Sequence, residues 1–305
     1  MKKNYLFVII ILWLTGCNLS KDITVNNYNT TFELPGTIRI NDTLFCDFNE
    51  IDNISWVEYY NWNLSIFGDT SIVMIECAPY NYNSSDLTPC NINYKNNLWR
   101  LVLNKYASII GISQEQAKNY SKWRSDRVFE KLLIDLNKIK YNPNQNPSNY
   151  FTIERYFSGE LDSFLIGEKL YIYPCYSLPT FNERKLIVQF SDSLNQLYFK
   201  EYGVKTYSDF LTYHPHILCN VNPCINDTFV YPMKTYYQFL NNIKPIMYHL
   251  NGNVSEWANE VNYHFGGSWK DSYEKILEVD TFYSTTFSND IGFRNVCKWV
   301  KWETK

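Results

Sequence analysis

Apolar and polar positions change rhythm several times along this chain, and each change marks an element. Residues 34–48 alternate in places, with Ile38, Ile40, Leu44 and Phe48 as the apolar members. That period-two pattern predicts a hairpin or two short strands. From Ser55 to Phe67 the spacing lengthens, and Trp56, Tyr59, Tyr60 and Leu64 fall on one side of a helix. The clearest helix begins at Ser113. Ser113 and Gln116 have the spacing of a capping box, in which each side chain meets an orphan N–H of the first turn. Ala117, Tyr120, Trp123 or Arg124, Val128 and Leu132 follow at steps of three or four, and the pattern can run to Ile139 before the Asn/Pro loop at 142–148. A third helix is predicted from Thr180: Glu183 closes a second capping box, and Leu186, Ile187, Phe190 and Leu194 form its stripe. Pro179 precedes its cap and Gly203 marks its end. Beyond residue 205 no helical period is sustained, and turn signals stand at Asn222-Pro223, Asn251-Gly252 and Gly266-Gly267. Neither an internal repeat nor a low-complexity linker divides the body, so one domain over residues 32–300 is expected.

The N-terminus has a different character. Lys2 and Lys3 precede a nearly unbroken apolar stretch from Tyr5 to Leu14. A permanent transmembrane helix needs about 20 apolar residues; this stretch is shorter and suits a signal peptide. Leu14-Thr15-Gly16-Cys17 resembles a bacterial lipobox, with two small residues before the cysteine that is lipidated. The expected organisation is a signal peptide over 1–16, lipidation at Cys17, a tether over 17–31 rich in Asn and Thr, and then the globular body. One acyl chain gives only marginal membrane binding, at about 0.8 kcal/mol per buried CH2, whereas a diacylated or triacylated Cys17 anchors stably. The membrane is thus an expected partner through the N-terminal lipid, and the expected location is the cell envelope, at the outer membrane.

Composition narrows the classes. With 45% hydrophobic and 19% charged residues, the chain can bury enough apolar surface to fold, unlike a disordered polyampholyte. A net charge of -3 provides no basic field for nucleic acid. Glycine is scarce, at 11 residues, and no Gly-x-Gly-x-x-Gly or Gly-x-x-x-x-Gly-Lys run cradles a phosphate. Of eight cysteines, Cys17 is set aside for lipid. The other seven are an odd set, so in an oxidising envelope at least one is free or pairs between chains. Cys219 and Cys224, spaced Cys-x4-Cys around Pro223, are the candidate local disulfide. A metal role for them is the alternative, but no second pair stands at a zinc-site spacing.

Seven scattered segments, in order, carry a family resemblance. They are Leu34-Pro35-Gly36-Thr37, the run Glu50 to Trp56, Gly111-Ile112-Ser113 with Ala117, Tyr120 and Trp123, and Leu178-Pro179-Thr180 with Glu183. Then come Gly252-Asn253-Val254-Ser255-Glu256-Trp257, Gly266-Gly267-Ser268-Trp269 and Gly292-Phe293-Arg294. Together they resemble the formylglycine-generating enzyme (sulfatase-modifying factor) family, and within it the lipoproteins associated with gliding motility and type IX secretion in Bacteroidetes. The resemblance implies an α+β, C-type-lectin-like fold with little regular secondary structure. Asn253, Trp257, Gly267, Trp269 and Arg294 are its structural motif residues. Glycines there permit positive φ or close backbone approach, tryptophans plug a loop-rich core, and Arg294 can fork onto a carboxylate, with Glu256 as a natural partner, or onto carbonyls.

The resemblance also implies where chemistry would sit. The family's oxidases hold Cu(I) between two thiolates, a soft-ligand choice, and the matching positions here are Asp271 and Ile276. A two-thiolate copper site therefore has no ligands, and Cys219 and Cys224 lie on the wrong segment. An iron site has no candidate among His214, His216, His249 and His264: His214-Pro215-His216 cannot share a helical face and no His-x3-His spacing exists. Calcium is the remaining candidate cofactor, through the carbonyls of Gly252 and Val254 and the side chain of Glu256, oxygen donors suited to a hard cation. His249 stands where relatives offer Asn or Asp, and a weaker second set would use Asn220 and Asp227. The expected function is a non-catalytic, lipid-anchored binding or scaffold protein that docks other envelope proteins. The alternative is a metal-dependent oxidase or related enzyme of the same family with an altered site, and a lectin-like glycan binder ranks third.

Overall fold

A computed structural model describes residues 34–68, 76–79, 105–201 and 247–303; the signal peptide, Cys17 and the tether lie outside them, as do Cys219, Cys224, His214, His216, Asn220 and Asp227. The described body is α+β and belongs to one unit, Leu34–Lys305. Among the described residues, no helix is long and apolar enough to cross a membrane.

The predicted hairpin is present as β1 (Thr37–Arg39) and β2 (Phe45–Asp47), paired antiparallel with Ile38 opposite Cys46. The first predicted helix is α1 (Asn53–Phe67); Asp52 caps it by accepting the Ser55 N–H at 3.0 Å, and Gly68, at φ 79°, ends it. Helix α2 (Gln114–Asp135) starts as its sequence demands: Ser113 accepts the Gln116 N–H, and the Gln116 side chain accepts the Ser113 N–H at 2.8 Å. It stops short of Ile139, where the next residues turn back. Buried Asp126 on α2 accepts the Ile153 N–H at 2.8 Å and so caps the short helix α3 (Ile153–Ser158) from outside. Helix α4 (Phe181–Glu201) carries the second capping box between Thr180 and Glu183. Its stripe is narrower than predicted: Ile187 is buried but Leu186 is 44% exposed.

The remaining strands are short. β3 (Ile172–Ser177) and β8 (Val296–Lys301) pair over six residues, and β8 also pairs with β2, giving one sheet in the order β1-β2-β8-β3. A second sheet, β6-β5-β4-β7, contains β4 (Ser255–Trp257), β5 (Tyr263–Phe265), β6 (Thr281–Tyr283) and β7 (Ile291–Gly292). Helix α5 (Tyr273–Glu278) lies between β5 and β6 in the chain. Among the described residues, only the β4–β7 pairing is parallel.

The aromatic surplus fills the space that such short strands cannot. Trp56 and Tyr120 stack at 5.6 Å, Tyr120 meets Phe293 edge-on at 5.3 Å, and Trp257, Ile109 and Ile112 complete this core. A smaller cluster, Leu44, Cys46, Ile187, Met247 and Val296, joins the first sheet to α4. Cys46, Cys77, Cys175 and Cys297 are free thiols. Cys46 lies opposite Val296 while Cys297 lies opposite Phe45, so these two point to opposite faces and cannot bridge.

Candidate functional site

The three C-terminal motif segments converge. Ser255 and Glu256 of β4 lie beside Ile291 and Gly292 of β7. The Gly252 N–H donates to Gly266 O at 2.8 Å and the Trp269 N–H to Asn253 O at 2.9 Å. Gly252 and Asn253 both have positive φ, 73° and 60°, which folds the Asn251–Val254 turn over the Gly266-Gly267 corner.

At the centre is a buried charge cluster. Arg294 Nε donates to Glu256 Oε1 at 2.6 Å; its other nitrogens donate to the carbonyls of Asp47 at 3.1 Å, Tyr248 at 2.7 Å and His249 at 3.2 Å. Arg294 thus forks onto a carboxylate and onto carbonyls at once. Arg184 of α4 approaches the other oxygen, Oε2 of Glu256, at 3.7 Å, and it also holds Leu250 O, Asn251 Oδ1 and Asp280. Nothing in the helical pattern of residues 180–194 distinguishes Arg184 from a solvated arginine, and the sequence reading missed it. Its only signal is adjacency to the Thr180–Glu183 box.

This arrangement bears on the calcium expectation at Glu256. Its carboxylate is enclosed by two guanidiniums, so a divalent cation there would face fixed positive charge rather than a free hard donor. The donor set does not fit the ion. His249 is buried at φ 50°, and its carbonyl serves Arg294. Among the described residues, no group of three His, Cys, Asp or Glu side chains is placed to hold a metal.

Glu50, from the second motif segment, is another buried acid beside this cluster. Its Oε2 accepts from Ser108 Oγ at 2.6 Å and Asn253 Nδ2 at 2.7 Å, and Oε1 accepts the Val254 N–H at 3.3 Å. Burial, then the nearby Glu256 charge, pushes its carboxyl up to about 8. A carboxyl raised on folding stabilises the fold fully below its ordinary value of 4.5, and that contribution is lost as pH climbs towards 8. Glu50→Gln removes the titration while keeping a neutral side chain of the same shape. Relative to wild type, the variant should therefore gain stability between pH 5 and 8, by up to roughly 1.4 kcal/mol per pH unit, in urea melts at each pH. A flat difference across that window would sink this assignment.

The positions matched to the copper thiolates are side by side. A Cβ built on Gly267 would lie 2.5 Å from Ile276 Cγ1 and 3.5 Å from Asp271 Oδ2. Ile276 is a buried alkyl group at that point. Asp271 Oδ2 accepts the Ser268 N–H at 2.9 Å and Oγ–H at 3.0 Å, and Oδ1 pairs with Lys275. Burial pushes the Asp271 carboxyl up, but Lys275 and Ser268 outweigh it and hold it below its ordinary value. Asp290 lies 3.1 Å from Ser268 Oγ and pairs with Lys270. His264 stacks on Phe282 at 5.6 Å, and its Nδ1 has no hydrogen-bond partner among the described residues. Burial lowers its pKa to about 4, against the pull of Asp290 and Asp271. The four described thiols are elsewhere, and burial raises all of them, Cys77 to about 11; none is the thiolate that binds a soft metal.

Trp257 donates its indole N–H to Ile112 O at 3.0 Å from a fully buried position. Trp269 is half-buried beneath Lys270, whose Nζ is 5.2 Å from the ring centre.

No family model matches the chain, and no curated protein matches it. Among solved structures it is similar to a crystal structure of CarF, with 16% identity and a TM-score of 0.38 over 84% of this chain and 86% of that one. It is also similar to Treponema denticola variable protein 1, with 14% identity and a TM-score of 0.37 over 84% of each chain. Both likenesses are remote structural ones.

Proposed function

We propose that this chain is a lipid-anchored cell-envelope protein with a C-type-lectin-like, sulfatase-modifying-factor type of body, acting without catalysis as a docking or scaffold component of the gliding-motility and type IX secretion kind. The observation that carries the reading is chemical: a carboxylate and an alkyl group, Asp271 and Ile276, flank Gly267 where the resemblance implies two thiolates. The carboxylate is already committed to Ser268 and Lys275, and the alkyl group has no electrons to share. The lipobox ending in Cys17 and the aromatic-rich body add to it, since tyrosine and tryptophan are favoured at binding hot spots.

A second reading, an enzyme of the same family with altered chemistry, draws on buried His264 and its neighbours Ser268, Asp271 and Asp290. One preparation separates the two. Tagged full-length protein is taken from detergent-solubilised membranes after crosslinking and measured for bound metal after reduction. Envelope proteins crosslinked to the body, with no stoichiometric copper or iron, support docking. Stoichiometric copper or iron overturns it, and so does a body that crosslinks to nothing.

A further inference from the structure

β6 is the outer strand of its sheet, and its register decides what that edge offers. The Gly266 N–H donates to Asp280 O at 2.9 Å and the Ser284 N–H to Asn262 O at 2.8 Å, while His264 faces Phe282. Bonded and non-bonded pairs alternate in an antiparallel ladder, so the bonded pairs are 262/284, 264/282 and 266/280. The N–H and C=O groups of Thr281 and Tyr283 therefore point away from β5, at an edge that no strand covers among the described residues.

The ground beside this edge is aromatic and acidic. Phe181 meets Tyr263, and Tyr263 meets Tyr283, each with ring centroids 5.3 Å apart. Tyr283 is 61% exposed. Just before β6, α5 carries exposed Glu274 and Glu278 one turn apart. Asp280 keeps 47% of its side chain exposed although it pairs with Arg184. Half-buried Glu260 accepts the Phe181 N–H at 3.1 Å and so fixes the start of α4 beside these rings. The neighbouring cation of α5, Lys275, is held by Asp271.

We propose that β6 docks an extended segment of another protein that carries lysine or arginine at alternate positions, by adding it as a new outer strand. An open edge is a ready template for main-chain pairing. A negative rim selects a positive partner, and the aliphatic stems of its Lys or Arg residues cover the Phe181–Tyr263–Tyr283 rings while their heads reach Glu274 and Glu278. This names the partner chemistry of the docking reading and rests on it.

Fluorescence anisotropy of the full-length protein in detergent tests the proposal with two labelled octapeptides, an alternating Lys-Val-Lys-Thr sequence and its Glu-Val-Glu-Thr twin. The lysine peptide should bind about tenfold tighter than its twin at low salt, and the gap should shrink near about 0.5 M salt. Thr281→Pro removes an outward N–H and no ladder bond, as proline on an edge strand allows. It should weaken the lysine peptide roughly three- to tenfold at unchanged Tm, and a lysine peptide N-methylated at alternate residues should lose the same factor on the wild-type protein. Equal binding of the twins overturns the proposal, as does full affinity of the N-methylated peptide. A concentration-dependent dimer that Thr281→Pro dissolves would show a second copy on the edge and overturn it as well. Envelope partners can still be crosslinked when these peptides fail, and stoichiometric copper or iron can still be found when they bind, so the two readings fall separately.

Discussion

Arg294→Ala should cost on the order of 3–5 kcal/mol, the range seen when one member of a buried ion pair is removed, and lower the thermal midpoint by on the order of 10 °C in a body of this size. The reason lies in what the guanidinium serves. It reaches Glu256 on β4, Asp47 O at the end of β2, and Tyr248 O and His249 O in the segment before the Asn251 turn. No sheet ladder satisfies those carbonyls. Its removal takes a charged donor from three buried carbonyls, of which Asp47 O keeps the weak Cys46 thiol contact at 3.4 Å, and leaves Glu256 facing Arg184 at 3.7 Å; a buried acceptor that loses its donor costs about 1–3 kcal/mol. Arg294→Lys should recover less than half the loss, because a point ammonium cannot span four acceptors in a plane. Thermal and urea melts read both variants, and a midpoint shift under about 3 °C for Arg294→Ala would show that the cluster is dispensable.

That arginine also marks how far the sequence could be read. Helix α1 was legible from its apolar period alone, its Asp52 cap going unread, whereas α2 and α4 each combine an apolar period with a capping pair whose chemistry is local, Ser113–Gln116 and Thr180–Glu183. The β1–β2 hairpin was legible from alternation. The second sheet was not, because strands of two or three residues hold no period, and the parallel β4–β7 pairing joins residues that no turn connects. The pairing of Arg294 with Glu256 was legible as a match of residue types, but its completeness was not. Arg184 and Glu50 reach the cluster from distant segments, and neither spacing nor composition announces a tertiary contact. That is why Glu256, a plausible calcium ligand by its turn, turns out to be enclosed by guanidiniums. Leu186 was misplaced for a related reason: a helical stripe gives the direction of the core but not how much of α4 the neighbouring elements cover.

Trp257→Ala should be as damaging as Arg294→Ala, by a different route. Ser255, Glu256 and Trp257 of β4 are all buried, so this strand has no solvent face. Alternation turns Glu256 to the charge cluster and Trp257 to the aromatic core, against Ile112 and edge-on to His264 at 5.7 Å. Truncation leaves a cavity and an unpaired Ile112 carbonyl, an expected loss of about 3–5 kcal/mol. Trp257→Phe keeps most of the ring but not the indole N–H, so it should fall between, near about 1–3 kcal/mol. His264 gives an independent readout. Burial holds it near 4 against an ordinary 6.5. A histidine depressed on folding lends stability that is complete above 6.5 and is lost as pH falls towards 4. Opening a cavity beside the ring hydrates it and raises its folded pKa, so the acid loss attributable to His264 should shrink in Trp257→Ala. Histidine NMR titration shows this directly: the wild-type His264 signal should titrate near 4 and the variant signal closer to 6.5. If the two titrate together, the shelter of His264 comes from Phe282 and not from Trp257.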